Sequence, residues 1–455
     1  MKKIKVGYIP LAKASFDFEL AEEYRKKALK LLNIFDNIEL VSSTRLITLD
    51  SEVGNEIDMF KEKHIELLIM HFCSFSLGAM TPSLVSNLKV PIILLSTPEP
   101  NFNGNKLRLN SFCALNMNSF TLHQMKIKHR SILKSLDDIT LKDELGKIFL
   151  AISTLKSLKN NRVGLVGSRS PGFYTSNFNE LKLMNELGVE VEHIDISRVY
   201  HEIEKVDEKV VIAKSESLIK SINNRSNVEK KHLYNLIRMC EAFSKLAKDF
   251  RLDAFAIKCW PEFHSDFKTT PCAAIGMMNS KIPTAAEGDV YGVVTMMIQK
   301  YITGKTSFFA DYIHSDIEKN TGVFWHCGCA SMELAGDKSK IFLDNYRGLP
   351  KGDPNSKGCI MNFQIYEENK RVTVNRLGPD SEGNLRLLNL TGKNVKGDYE
   401  ISGNYCQVKF DSPVESVIKG ILDDGFEHHY SLTMNDVSDV IEEISYWKNF
   451  KLYRY

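Results

Sequence analysis

Two carboxylates lie close together in Pro283-Thr-Ala-Ala-Glu287-Gly-Asp289-Val-Tyr-Gly292. Directly after them Val290, Val293, Val294, Met297, Ile298 and Tyr301 follow i, i+3, i+4, i+7 spacing. Glu287 and Asp289 therefore stand at the entry to a core-packed helix, with Thr284 as its expected N-cap. The helix dipole favours anions there, although acidic residues at helix starts are also commonplace caps. A further carboxylate, Asp311, sits in the apolar run Thr306-Ser-Phe-Phe-Ala-Asp-Tyr-Ile, and His326 in Val323-Phe-Trp-His-Cys-Gly-Cys-Ala; both runs read as strands. Gly425-Phe-Glu-His428-His429-Tyr430 adds a histidine pair, expected at the rim of a β-domain. Polar groups inside aromatic runs are costly to bury without a partner, which for a single histidine is most often one hydrogen bond. As a set, carboxylates and imidazoles suit a hard-to-borderline divalent cation such as Mn²⁺ better than a thiolate-held zinc. Cys327-x-Cys329 looks like half a zinc site, but the sequence carries no second cysteine pair to complete it.

Two phosphate-binding motifs are approached and not met. Gly304-Lys305-Thr306 resembles the end of a P-loop, yet position 299, where that motif needs glycine, is Gln, and the preceding segment is helical. Gly304 is expected to cap the helix. Gly164, Gly167 and Gly172 follow a strand and precede a helix, but their spacing is not that of a dinucleotide fingerprint. They predict instead a loop at a strand's carboxyl end that lets a ligand approach the backbone.

The elements that position these residues are read from periodicity. Ile4–Ile9, Ile38–Val41, Glu66–Phe72 and Pro91–Ser96 are strand-like runs, separated by helical patterns over Phe18–Leu32 and Ser51–Lys63. Such alternation predicts a parallel sheet covered by helices. Leu115–Leu150 reads as mostly helical, and Lys156–Asn161 as a linker. A second α/β unit begins with a strand at Arg162–Val166, a helix at Asn177–Leu187 and a strand at Val189–Ile196. Beyond the Gly-, Lys- and Asp-rich segment Gly336–Gly358, short strand runs (Arg371–Asn375, Leu385–Leu390, Gln407–Phe410) alternate with turn residues, and Val437–Trp447 closes as a helix. The expectation is α/β: two Rossmann-like parallel-sheet domains, 1–160 and 161–340, followed by a small β-rich, barrel-like domain, 341–455. The second would carry the metal carboxylates and the third a metal histidine.

At 455 residues the chain exceeds what one hydrophobic core serves. A net charge of +2, from 59 basic and 57 acidic residues, argues against nucleic acid as a partner. Short basic pairs such as Lys26-Lys27 read as solvated faces. No run reaches the roughly 20 apolar residues of a membrane span. The start, Met1-Lys2-Lys3, is followed by a strand rather than a secretory leader. Nine irregularly spaced cysteines suggest reduced thiols and a cytoplasmic location, where the sequon at Asn389 would stay unglycosylated.

Taken in order, Ala286-Glu287-Gly-Asp289-Val-Tyr-Gly, Ser307-Phe-Phe-Ala-Asp311-Tyr, Phe324-Trp-His326-Cys-Gly and Glu427-His428-His429 resemble the L-fucose/L-arabinose isomerase family. Trp260-Pro-Glu262-Phe and the loop Gly167-Ser-Arg-Ser-Pro-Gly-Phe173 are similar to that family's as well, so the resemblance spans most of the chain. It implies a metal-dependent aldose–ketose isomerase working through an ene-diolate. Glu287 and Asp311 would be the acid/base carboxylates and metal ligands. His429 would be a further ligand, with His428 as fallback, and His326 would match a metal histidine of the arabinose enzymes. Asp311 is fucose-like; the glutamate of the arabinose enzymes falls nearer Ala310. Trp260, Phe173 and Glu262 would meet the sugar, and His123 would reach a neighbouring subunit's site. The resemblance also implies Mn²⁺, with Co²⁺ or Mg²⁺ as alternatives, a small-molecule sugar as partner, and a homo-oligomer, a hexamer in this family.

A divalent ion binding O1 and O2 of the sugar would stabilise the ene-diolate as a Lewis acid, while the two carboxylates move protons. Two other readings stay open at this point. One is a modified, sulfonated or phosphorylated aldose as substrate of an isomerase or epimerase; only Arg169 adds a cation to the 167–173 loop, which favours a neutral sugar. The other is a non-catalytic sugar-binding relative, against which the metal trio argues.

Overall fold

The computed structural model describes residues 2–102, 104, 106–222, 224–225, 228–346 and 358–455. Positions 347–357 of the Gly-, Lys- and Asp-rich segment lie outside the described residues. The chain forms two compact units, Met1–Lys156 and Ser157–Tyr455.

In the first unit β1 (Ile4–Leu11), β2 (Ile38–Ser42), β3 (Leu67–Phe72), β4 (Ile92–Ser96) and β5 (His129–Leu133) form a parallel sheet in the order β2-β1-β3-β4-β5. β3 is buried along its whole length, as expected of a strand covered on both faces. Ile9, Leu68, Met70 and Leu94 pack with Phe60 and Leu84 of the flanking helices into one core. Helix Phe18–Leu32 falls where its periodicity places it, capped by Asp17, whose side chain accepts from the Leu20 amide. The stretch Leu115–Leu150 is helical over most of its length, as expected, but β5 interrupts it, an edge strand whose sequence, His-Arg-Ser-Ile-Leu, buries only Ile132. One expectation here is corrected. Lys156 is not linker but the end of helix Ile139–Leu158, held by Nζ donating to Lys3 O and Glu66 Oε2 at 2.7 Å each.

In the second unit β6 (Arg162–Val166), β7 (Glu190–Ile194), β9 (Ala254–Ile257) and β10 (Thr284–Ala286) form a parallel sheet in the order β10-β9-β6-β7. The helix expected from Asn177 starts later, at Glu180, because Asn179 caps it by accepting from the Lys182 amide.

The remaining strands, β8 (Asn224–Arg225), β11 (Phe308–Asp316), β12 (Thr321–His326), β13 (Phe342–Asn345), β14 (Cys359–Ile365), β15 (Arg371–Pro379), β16 (Leu385–Val395), β17 (Asn404–Phe410), β18 (His429–Thr433) and β19 (Lys451–Tyr453), belong to one mixed ten-stranded sheet. Pairing of β16 with both β15 and β17 closes the ring β16-β15-β18-β11-β12-β17 into a barrel, with the other strands appended at its edges. The barrel-like third layer is therefore present, but it is large, and it recruits β11 and β12 from before residue 341.

Helix Val290–Thr303 packs against β9 and β10 on one side and β15 and β18 on the other, so its residues from Val290 to Gln299 are all buried rather than striped. Thr284 is not its N-cap. The chain is still extended there, paired with β9, and Asp289 caps the helix, its Oδ1 accepting from the Gly292 amide at 2.7 Å. Gly304 ends the helix in the left-handed conformation, as expected. Asn389 is buried in β16 and donates to Ser438 O, which closes the sequon to modification of the folded chain.

Candidate active site

Three loops leave the carboxyl ends of adjacent parallel strands: Gly167–Phe173 after β6, Lys258–Trp260 after β9, and Glu287–Asp289 after β10. This end of an α/β sheet is where ligands bind, because backbone groups and loop side chains converge there. Glu287 and Gly288 take successive positive φ values, 61° and 68°, an uncommon conformation for glutamate, found where a site dictates the backbone. Gly288 is required by contact as well: a Cβ there would stand 2.5 Å from Ser168 O and 3.1 Å from Arg169 Cα.

The barrel supplies the opposing side. Asp311 on β11 and His429 on β18 are direct cross-strand partners, which puts their side chains on the same face. His429 is the first residue of a central strand of the barrel and is fully buried. Its Nε2 stands 3.0 Å from Glu287 Oε2 and 3.4 Å from Asp311 Oδ1. His428, half-exposed, brings its Nε2 to 3.9 Å from each of the same two oxygens, while its Nδ1 meets Thr175 Oγ1 at 2.8 Å. The residues expected to carry the chemistry thus converge on one imidazole nitrogen.

A buried relay that sequence reading left out fixes that imidazole. His429 Nδ1 meets Asp289 Oδ2 at 2.9 Å, and Arg376 Nη1 donates to the same oxygen at 2.6 Å. Arg376 Nε lies 3.5 Å from Glu427 Oε2, and Arg376 is fully buried. Burial disfavours the ionised Glu287 and Asp289. The hydrogen bonds of His428 and His429 to Glu287, and the Arg376 charge and His429 beside Asp289, outweigh it and hold both carboxyls well below the usual range. Burial likewise opposes a charged His429, yet hydrogen bonds to Asp289 and Glu287 push it up to about 9.

His326, at the end of β12, stacks parallel to His429 with ring centroids 6.1 Å apart, and a nitrogen of each can meet Glu287 within 4.8 Å of mutual separation. Its Nδ1 accepts the Cys327 amide at 2.9 Å, so in the neutral ring the hydrogen sits on Nε2, a buried atom with no hydrogen-bond partner among the described residues.

Aromatic side chains wall the cluster. Phe173 packs edge-on against Trp260 and His428, at 5.3 Å and 5.2 Å between centroids, and Phe309 lies 4.6 Å from His429. The Trp260 indole donates to Glu287 Oε1 at 3.3 Å and so orients that carboxylate. Glu262 is paired instead with Lys258 Nζ, leaving Oε2 buried without a hydrogen bond among the described residues. His123 is exposed near the end of helix Ser111–Gln124 in the first unit. The Cys327-x-Cys329 pair does have a companion: Cys272 joins it, a convergence discussed below.

Residues 7–157 match the family model described as "Fucose/sulfoquinovose isomerase, N-terminal domain". Curated proteins named sulfoquinovose isomerase align along the whole chain. That of Priestia aryabhattai is 27% identical, with 99% of each chain covered. That of Alkalicoccus urumqiensis is 26% identical over 97% of each, and that of Clostridium sp. (strain MSTE9) 23% over 96% of each. The full-length relatives support an aldose–ketose isomerase. These matches support a likeness to the fucose isomerase-like family.

Proposed function

We propose that this enzyme interconverts a sulfonated aldose, sulfoquinovose, and the corresponding ketose, with a divalent ion, Mn²⁺, held by Glu287, Asp311 and His429. The observation that carries the site is the convergence of both carboxylates on His429 Nε2 at 3.0 and 3.4 Å. Neighbouring ligands of an octahedral ion with bonds of about 2.1 Å are about 3 Å apart, so the donor set fits such an ion. Asp311 Oδ1, buried with no hydrogen bond among the described residues, is the orphan acceptor that a cation would satisfy. When bound, the ion supplies Lewis-acid polarisation of the sugar's carbonyl.

The protein's own groups do the rest. Asp289 holds His429 through Nδ1 and turns Nε2 to the site. Of Glu287 and Asp311, one takes the C2 proton and returns it at C1, and the other moves the hydroxyl proton; each positioned group is worth about 10²–10⁴ in rate. His326 Nε2–H donates to a sugar oxygen rather than binding the ion, in keeping with its Nδ1 accepting the Cys327 amide. Phe173 and Trp260 keep bulk water from the carbanionic carbon.

The substrate reading rests on the shared name of the full-length relatives, and it replaces the neutral sugar favoured by the scarcity of cations in the 167–173 loop. The single Arg169 there, its guanidinium 4.8 Å from the Tyr174 ring, is the cation we assign to the sulfonate. We further propose a cytoplasmic homo-oligomer, a hexamer, to which the exposed Phe112, Phe120 and His123 of helix Ser111–Gln124 lend an interface. No helix among the described residues is long and apolar enough to cross a membrane. The test is ketose formation from sulfoquinovose, L-fucose and L-arabinose with added Mn²⁺. Turnover of sulfoquinovose alone supports the assignment, and turnover confined to the neutral sugars refutes it. In Arg169→Met the KM for the sulfonated aldose should rise at least tenfold with kcat little changed.

A further inference from the structure

Behind His326 the fold gathers three thiols. Cys272 opens helix Cys272–Asn279, while Cys327 and Cys329 lie in the turn that follows β12. Cys272 Sγ is 3.2 Å from Cys327 Sγ, Cys327 Sγ is 3.8 Å from Cys329 Sγ, and all three sulfurs lie within 4.8 Å of one another. All are free; Cys272 and Cys329 are buried, and Cys327 is partly buried. The turn is built to aim two sulfurs one way. Gly328 between them has φ 97°, and a Cβ there would stand 2.7 Å from Ile360 Cβ and 3.1 Å from the Met361 amide. Thr270 Oγ1 adds an oxygen 2.8 Å from Cys272 Sγ.

We propose that Cys272, Cys327 and Cys329 hold a structural zinc ion through their sulfurs, separately from the oxygen- and nitrogen-lined site of Glu287, Asp311 and His429. A tetrahedral ion with Zn–S bonds of about 2.3 Å spaces its sulfurs about 3.8 Å apart, the spacing to which these three come close. Thiolates select Zn²⁺ over the harder ions suited to carboxylates. A disulfide would use two sulfurs and leave the third buried beside them with nothing to bind, whereas the convergence is threefold. Binding releases the three thiol protons to solvent and makes three S–Zn bonds, with no change of oxidation state. Its consequence is mechanical. Cys327 donates its amide to His326 Nδ1, so an ion clamping this turn to helix Cys272–Asn279 fixes the ring that faces the sugar.

The test is the full-length protein produced with Co²⁺ in place of zinc and examined by absorption spectroscopy. A sulfur-to-cobalt charge-transfer band in the near ultraviolet is expected in the wild type and in Glu287→Gln, and is expected to vanish in Cys272→Ser and Cys327→Ser. X-ray absorption at the zinc edge of wild-type protein, which needs no variant to fold, should show sulfur neighbours at about 2.3 Å. Absence of the band and of sulfur scattering in the wild type would overturn the proposal. So would a Cys272–Cys327 disulfide found by mass spectrometry of unreduced peptides from freshly isolated protein. Retention of the band in both serine variants would equally overturn it.

Discussion

His429 is held from both sides, by Asp289 at Nδ1 and by Glu287 at Nε2. Asp289→Asn keeps the cap shape but weakens the hold on the ring, and it should reduce Mn²⁺ affinity about 10–100-fold, as read by titration calorimetry; unchanged affinity would deny Asp289 that role. Arg376→Met removes the cation between Asp289 and Glu427 and leaves buried carboxylates uncompensated. A loss of about 3–5 kcal/mol is expected in denaturant unfolding. Of the side chains proposed to act on the sugar, Asp311 and His326 were legible because a carboxylate or imidazole inside an aromatic run is an anomaly of type, and His429 as one of a histidine pair that matches the family resemblance. Asp289 was visible only as a cap, since a residue that is both cap and imidazole partner looks the same in sequence as one that is a cap alone. Arg376 left no mark, because a lone arginine in β15 is indistinguishable from a solvated one until β15 packs on helix Val290–Thr303.

The loops after β6, β9 and β10 depend on close approach. Gly288→Ala would force a Cβ to 2.5 Å from Ser168 O at a backbone φ of 68°. The displacement falls on the loop carrying Phe173. A drop in kcat/KM of at least tenfold is expected, with the variant still folded by circular dichroism; wild-type kinetics would show that the contact has no bearing on the site. Long, periodic elements such as helix Phe18–Leu32 were legible from spacing alone. β5 was not, because a short polar edge strand buries a single side chain and its helical flanks dominate any window around it. β10 was not either: a three-residue strand is specified by its partner β9, and its threonine imitates a helix cap.

At the scale of the molecule, the order of the sheets along the chain and the barrel-like character of the last were legible, but the entry of β11 and β12 into that barrel was not. The pairing of Asp311 with His429 joins segments far apart in sequence, and nothing local to either strand announces it. The first unit carries its own pH response. Burial drives His71 down to about 3, while in an unfolded chain a histidine titrates near 6.5. Between those values the unfolded chain binds the extra proton, so stability is complete above about pH 6.5 and is lost as pH falls below it, at up to about 1.4 kcal/mol per pH unit. Thermal melts of the wild type should therefore fall more steeply between pH 6.5 and 4.5 than those of His71→Gln; equal slopes would assign the acid sensitivity elsewhere.

In the proposed function, one divalent ion and two carboxylates around His429 isomerise a sulfonated aldose. Its most direct test is ketose formation from sulfoquinovose, followed by NMR, in metal-stripped protein, in the same protein reloaded with Mn²⁺, and in Glu287→Gln. Turnover is expected only in the reloaded wild type, with Glu287→Gln slower by at least 10². Full activity in the stripped enzyme, or in Glu287→Gln, would contradict it.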